Sequence, residues 1–403
     1  MPLVSRKISS PEWSGPRKQK WLYYSNPMPE EGPQPTDAVL GGTNAQPRPY
    51  DAVLGGTKGL TRKKAVPRIN QAADEKLTGL DLSRLGLEEL PPEIGKCKHL
   101  TWLGLSNNQI TVIPEALGQL SNLTSLDLSH NQITSIPETF GQLLNIERLS
   151  LFGNKITCIP EALGSLSHLA RLDLSYNQIT VIPEAVGQLS NLTQLLLSIN
   201  QITSIPETFG QLSNLTELWV TNNKITSIPE ALGQLSNLER LYLFDNKITS
   251  IPEALGQLSN LTSLELKNNK ITSIPEALGQ LSNLTWLDLR NNKITSIPEA
   301  LGQLSHLTGL YLSNNEITSI PEALGQLSNL TWLYLSHNEI TSIPESFGQL
   351  SHLKSLDLHN NKITLVPKTL RDMENLETLD LGKNPLSILE KIWSRLLWRS
   401  SKT

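Results

Sequence analysis

Apolar residues return along this chain at a fixed interval. With Leu77 as position 1, the same position recurs at Leu100, Leu123, Ile146, Leu169, Leu192, Leu215, Leu238, Leu261, Leu284, Leu307, Leu330, Leu353 and Leu376. Every step is 23 residues without an insertion, which makes 14 units. Self-similarity at such a period predicts a solenoid whose coils bury one another's apolar sides. Positions 1, 4, 6, 11, 14, 18 and 21 are apolar in nearly every unit. Positions 4 and 6 alternate with variable residues, the period of a strand. Pro occupies position 15 from Pro91 to Pro367 and is expected to start a short helical turn through the following Glu-Ala-Leu-Gly. The Gly at position 19 is expected to let that turn end. Position 9 is Asn in 13 of the 14 units, with Leu85 as the exception. An amide donates and accepts at once, so stacked copies are expected to satisfy backbone groups where each coil leaves its strand.

The variable letters are not scattered. Positions 3 and 5 face away from the buried 4 and 6, and positions 7 and 8 follow at the rim of that face. Of 13 aromatic residues in the repeats, ten fall at these four positions: Trp102, Phe152, Tyr176, Trp219, Tyr242, Phe244, Trp286, Tyr311, Trp332 and Tyr334. The other three, Phe140, Phe209 and Phe347, replace Leu at core position 18. Exposed aromatics are the residue type enriched where proteins bind one another, and neighbours at strand spacing also stack. Arg148 and Arg171 are adjacent in column 3, an unfavourable like-charge pair that Asp173 or a partner carboxylate would relieve. Glu217 and Arg240 are adjacent opposites that pair with each other on this reading. Asp288 and Arg290 complete the candidate binding residues, with Trp286 the strongest because it changes from unit to unit.

The pattern LxxLxLxxNxL, repeated from residue 77 to about 386, resembles the leucine-rich repeat family. That resemblance implies an α/β fold: a right-handed, curved solenoid with parallel strands on its concave face and short helical turns on its convex face. Fourteen strands at ~4.8 Å make a ladder of roughly 60 Å. IPEALGQLSNLTxLxLSxNxIT is similar to intracellular leucine-rich proteins of the Ras-binding scaffold type and to the plant Ras-group-related class. The entry into the repeats, RINQAADEKLTGLDLSRLGLEELPPEIGKCKHL, resembles the start of the repeat domain in bacterial Roco proteins, whose GTPase part has no counterpart here.

Both ends of the stack need covers. Residues 66–76 are expected to form a capping helix with Ile69 and Ala73 against the first coil. Residues 387–403 carry a helical apolar stripe and are expected to cap the other end, the alternative being a basic amphipathic helix at a membrane surface through Lys391, Arg395 and Arg399. Residues 1–65, rich in Pro, Gly and Ser, are expected to be disordered. Within them DAVLGGT stands twice, at 37–43 and 51–57, either a docking motif or a duplicated linker. A basic stretch, Lys58 to Arg68, precedes the repeats and reads as a solvated linker, with contact to anionic lipid or nucleic acid as the alternative.

Charge narrows the partner class. Residues 77–386 hold 18 Lys and Arg against 30 Asp and Glu, a balance of −12. Such a surface is a poor nucleic-acid binder and favours a partner with basic patches. Cys97 and Cys158 lie in different repeats, and neither end has a cysteine-rich cap, which points to a reducing, cytoplasmic compartment. No apolar run reaches transmembrane length, and MPLVSRKISSPEW lacks the apolar core of a secretory signal. Asn-Leu-Thr recurs at Asn122, Asn191, Asn214, Asn260, Asn283 and Asn329, but the repeat itself forces these sequons. No Walker A, HExxH, GxSxG, CxxC or kinase signature occurs, and the seven histidines form no ligand set. The expectation is therefore a non-enzymatic intracellular interaction module or scaffold without a cofactor. Its expected partner is a protein or peptide, with a small GTPase or signalling regulator among the candidates. The competing readings are the repeat arm of a split Roco-type GTPase and an exported surface adhesin.

Overall fold

The structure is a computed structural model, and it describes residues 57–387. All of these lie in one compact unit. Fourteen three-residue strands, from Gly79–Asp81 to Thr378–Asp380, form a single parallel sheet in strict sequence order. Registers are uniform: Trp286 pairs Gly309, Leu287 pairs Leu310 and Asp288 pairs Tyr311, always 23 residues apart. The curved right-handed solenoid expected from the sequence is the fold observed. Its core is one continuous column of Leu and Ile, in which Phe140, Phe209 and Phe347 are fully buried as anticipated.

The Asn column does what its chemistry allows. From Asn108 onward Nδ2 donates to two position-6 carbonyls, its own and the preceding coil's, while Oδ1 accepts the position-11 N–H of the preceding coil. For Asn108 these are Leu105 at 2.9 Å, Leu82 at 3.0 Å and Leu87 at 3.0 Å. The side chain thus satisfies backbone that no strand can reach. A second ladder follows position 2, where Thr285 Oγ1 donates to Thr262 O at 2.9 Å.

On the opposite side twelve turns are 3-10 helices that follow a Pro, as at Pro298 before Glu299–Gln303, and the last, Lys368–Arg371, is a short α-helix. The Gly inside them corrects the sequence-based expectation. It sits within the turn and does not end it. A Cβ on Gly164 would lie 2.6 Å from the Ala185 carbonyl oxygen of the next coil, so the column is Gly because coils touch there.

The N-terminal helix runs Thr57–Asp74, starting nine residues ahead of the expected 66, and it passes through Pro67. Ala65, Ile69 and Ala72 are buried against the first coil, with Ala73 only partly covered. The Cys97 thiol donates to Ile69 O at 3.3 Å, tying helix to coil, and burial pushes that thiol's pKa up. The expected tail with its repeated DAVLGGT up to residue 56, and the expected C-terminal cap beyond Ser387, lie outside the described residues.

Candidate functional site

The strands place positions 3 and 5 side by side across neighbouring coils, and position 8 then takes a left-handed backbone in every coil. Asn107, Asn222, Asn268, Asn291, Asn314 and Asn360 fill it at φ between 53° and 57°. Asn tolerates that region because its short side chain bonds locally. Tyr176 (φ 58°) and Ile199 (φ 56°) stand in the same conformation without that help. Along this rim Asp245 accepts from Asn268 Nδ2 at 2.6 Å and from Asn222 Nδ2 at 3.3 Å.

The aromatic residues meet in three groups. His130, Phe152 and Tyr176 form the first, with centroids 5.0 and 4.9 Å apart. Trp219 and Tyr242 meet edge to face at 4.7 Å, beside Phe244. Trp286, Tyr311 and Tyr334 follow at 4.5 and 5.1 Å. Trp332, in the strand paired with that of Tyr311, is half-buried, as are Phe152, Trp219, Tyr242, Phe244, Trp286 and Tyr334. Trp102 and Tyr176 are 40% and 49% exposed. Self-stacking and access to solvent therefore coexist.

Two residues depart from the expected outward pose. Asp288 is only 1% exposed and Tyr311 only 7%. Trp286 is the reason for part of this. A Cβ on Gly309 would sit 3.1 Å from Trp286 and 2.7 Å from Tyr311, so the missing side chain lets both rings lie down over the strand. Arg290 supplies the rest, because it bonds both Asp288 oxygens, Nε at 3.0 Å and Nη2 at 2.7 Å. Its guanidinium then lies 5.2 Å from the Tyr311 ring. Hydrogen bonding by Asp288 raises the Arg290 pKa, and burial raises that of Tyr311. The sequence shows Gly309 between two tryptophans in column 3, a signal that sequence reasoning did not use.

The remaining charges separate cleanly. Arg240 bonds Glu217, as their adjacency suggested. Arg171 bonds Gln194 and stands 3.8 Å from Asp173, whose pKa is raised chiefly by burial. Arg148 is exposed beside it.

Other candidate chemistry resolves into structure. His337 and His359 are 5.6 Å apart, yet no group of metal-ligating residues forms among the described residues. A groove of about 740 Å³ runs along the edge lined by Asn214, Thr216, Asn260 and Thr262 and their repeats. Its asparagine side chains are already committed. Each sequon Asn donates Nδ2 to the preceding coil, as Asn260 does to Ser236 O at 2.8 Å and Asn122 to Lys98 O at 2.7 Å. His306 takes the same place, with Nδ1 2.8 Å from Ser282 O. No described helix is long and apolar enough to cross a membrane.

Comparison with known proteins agrees with this geometry. A model of the leucine-rich repeat region matches residues 154–266, and leucine-rich repeat models match 75–133, 98–156, 260–281, 282–340 and 335–386. The chain is 36% identical to a leucine-rich repeat protein of Leptospira interrogans, with TM-score 0.74, over 82% of this chain and 90% of that one. It is 29% identical to the plant peptide hormone receptor RGFR1 in complex with RGF2, with TM-score 0.59, over 76% of this chain and 59% of that one. It is 25% identical to an internalin (inlF) of Listeria monocytogenes, with TM-score 0.67, over 78% of this chain and 94% of that one. No curated protein sequence matches the chain.

Proposed function

The chain belongs to the leucine-rich repeat family, and from that premise we propose that it is a non-enzymatic interaction module holding a protein or peptide partner on its concave face. The observation that carries this reading is the half-exposed aromatic side chains on the sheet, Trp219 and Tyr242 on adjacent strands and Trp286, Trp332 and Tyr334 farther along. Large rings with apolar faces and polar tips give contact area at low entropic cost, and they sit on a rigid sheet. The convex face instead repeats one glutamate column, from Glu115 to Glu345, which carries little information for choosing a partner. The likeness to a peptide hormone receptor in complex supports a peptide or protein as the occupant.

We place the module in the cytoplasm, in keeping with Cys97 and an exposed Cys158 that are both free thiols. A small GTPase or another signalling regulator is the partner class that the sequence resemblance suggests, and the same resemblance supports a role as the arm of a Roco-type GTPase. The test is affinity purification with the wild type beside Trp219→Ala/Tyr242→Ala/Trp332→Ala. The variant is expected to lose specific partners, and an unchanged set overturns the reading. The likeness to an internalin favours one competing reading, an exported adhesin. Fractionation separates them: surface-exposed protein supports the adhesin, and recovery from the cytosol alone excludes it.

A further inference from the structure

Column 5 holds seven acidic residues, and one of them behaves unlike the rest. Asp81, Asp127, Asp173, Asp288, Asp357 and Asp380 each accept the N–H two residues on, at 2.8 to 3.2 Å. That short ring closes the turn at the strand's end, so these carboxylates are part of the coil's own construction. Glu265 is one methylene longer. Among the described residues its carboxylate receives no hydrogen bond and makes no contact ion pair, although its backbone carbonyl accepts from Leu243 N at 2.9 Å.

The cations nearest to it are held elsewhere. Lys267 keeps its ammonium over the Phe244 ring, 4.7 Å from the centroid. Arg290 is forked onto Asp288. Glu265 pairs with Tyr242 on one side and with buried Asp288 on the other. Within its own strand the neighbouring outward residue is small Ser263, set between Arg240, tied to Glu217, and Trp286, laid over Gly309. The result is a half-buried notch: the uncommitted Glu265 carboxylate stands beside Ser263, whose side chain is hydrogen-bonded to Tyr242. Burial raises that carboxyl's pKa and outweighs the opposite pull of Lys267 and Arg290.

We propose that Glu265 receives the cationic side chain, guanidinium or ammonium, of a basic residue in the peptide or protein partner. This rests on the concave-face reading above. A cation entering the notch gains a charge-assisted bond to the carboxylate and the faces of the flanking rings.

The probe is a displayed library of random dodecamer peptides, selected on the full chain and re-measured on Glu265→Gln, Glu265→Asp and Trp219→Ala/Tyr242→Ala/Trp332→Ala. Selected peptides are expected to share one Arg or Lys, and exchanging Arg for Lys in them tells guanidinium from ammonium recognition. Glu265→Gln is expected to weaken binding at least tenfold. Glu265→Asp keeps the charge but is expected to swing back onto the Lys267 N–H, like the six aspartates. It should lose binding as Gln does, with thermal stability unchanged or raised. Peptides that lack a shared basic residue, or that bind Glu265→Gln at wild-type strength, overturn the notch. If such peptides are still lost on the triple variant, the concave-face reading stands without it. If they survive both, or if the selection gives no concave-face binder, both fall.

Discussion

The side-chain amide of Asn292 crosses between two coils and donates to the carbonyl of Leu266 at 3.1 Å. The same nitrogen donates to Leu289 O at 3.0 Å, and Oδ1 accepts from Ile271 N at 3.0 Å. One residue thus satisfies three backbone groups in the core. Asn292→Leu removes these bonds at once, but Leu266 O keeps Asn269 Nδ2 and Leu289 O keeps Asn315 Nδ2, both at 3.0 Å, so only the Ile271 N–H is orphaned, at roughly 1–3 kcal/mol. With the two carbonyl bonds worth about 0.5–1.5 kcal/mol each, the expected loss is about 2–6 kcal/mol in urea unfolding. Asn283→Ala breaks one exposed bond, to Ser259 O at 2.8 Å, and should cost under about 1 kcal/mol. Equal costs at the two sites would show that the interior ladder is not what holds the coils in register.

Two glycines of the same column should respond oppositely to one methyl group. A Cβ on Gly302 would meet the Ala323 Cβ at 2.8 Å and its carbonyl closer still, whereas on Gly95 it would meet the Ala116 Cβ at 3.4 Å. Gly302→Ala is expected to destabilise by about 1–3 kcal/mol through overpacking. Gly95→Ala should be neutral or stabilise by ~0.4–1 kcal/mol, by restricting the unfolded chain. Thermal unfolding of the pair decides it, and a tolerant Gly302 would mean that the coils can separate locally.

Ile199 holds a left-handed backbone that six other coils give to Asn. For a β-branched residue this conformation costs roughly 1–2 kcal/mol. Ile199→Asn is therefore expected to raise stability by about 1 kcal/mol. No rise in the unfolding midpoint would mean that apolar packing of Ile199 offsets the strain.

Much of this was legible in the sequence, for a physical reason. A gapless 23-residue period fixes which residues stack, so the strand register, the Asn ladder and the Phe residues in the core all follow from counting. Side-chain pose does not follow, because it depends on neighbours in adjacent coils. Asp288 reads as outward by alternation, yet the Arg290 fork and the Tyr311 ring cover it. Gly302 reads as a turn terminator, but its reason lies across the coil boundary, where the local pattern is silent. Glu265 reads as one acid among seven until the bonds of the other six are seen.

Tyr311 and Tyr334 share a column but should divide their roles. Their rings meet edge to face at 5.1 Å, with Tyr311 beneath Trp286 and Arg290 and Tyr334 half open. Tyr311→Ala is expected to cost about 3–5 kcal/mol, as for other buried rings. Tyr334→Ala should cost less in stability and more in partner binding. Urea unfolding and affinity measured on both variants test the division, and equal stability losses would place both tyrosines in the core.

Glu265 also makes a pH-dependent claim. Burial raises its folded-state pKa above the ordinary glutamate value of 4.5, outweighing the opposite pull of Lys267. The folded state then binds the proton more tightly than the unfolded one. Its contribution to stability is fully present below the unfolded pKa and is lost as pH rises through the folded pKa. Glu265→Gln removes that loss. Relative to wild type, the variant is expected to gain stability as pH rises from about 4, and to hold a constant advantage above the folded pKa. Glu322 on the convex face runs the other way, since bonds from Ser346 lower its pKa and its contribution disappears as pH falls. Urea titrations of wild type and Glu265→Gln across this range read the difference directly. A difference that does not change with pH would mean that the Glu265 carboxylate is solvated in the free protein, and that its notch is not held ready for a cation.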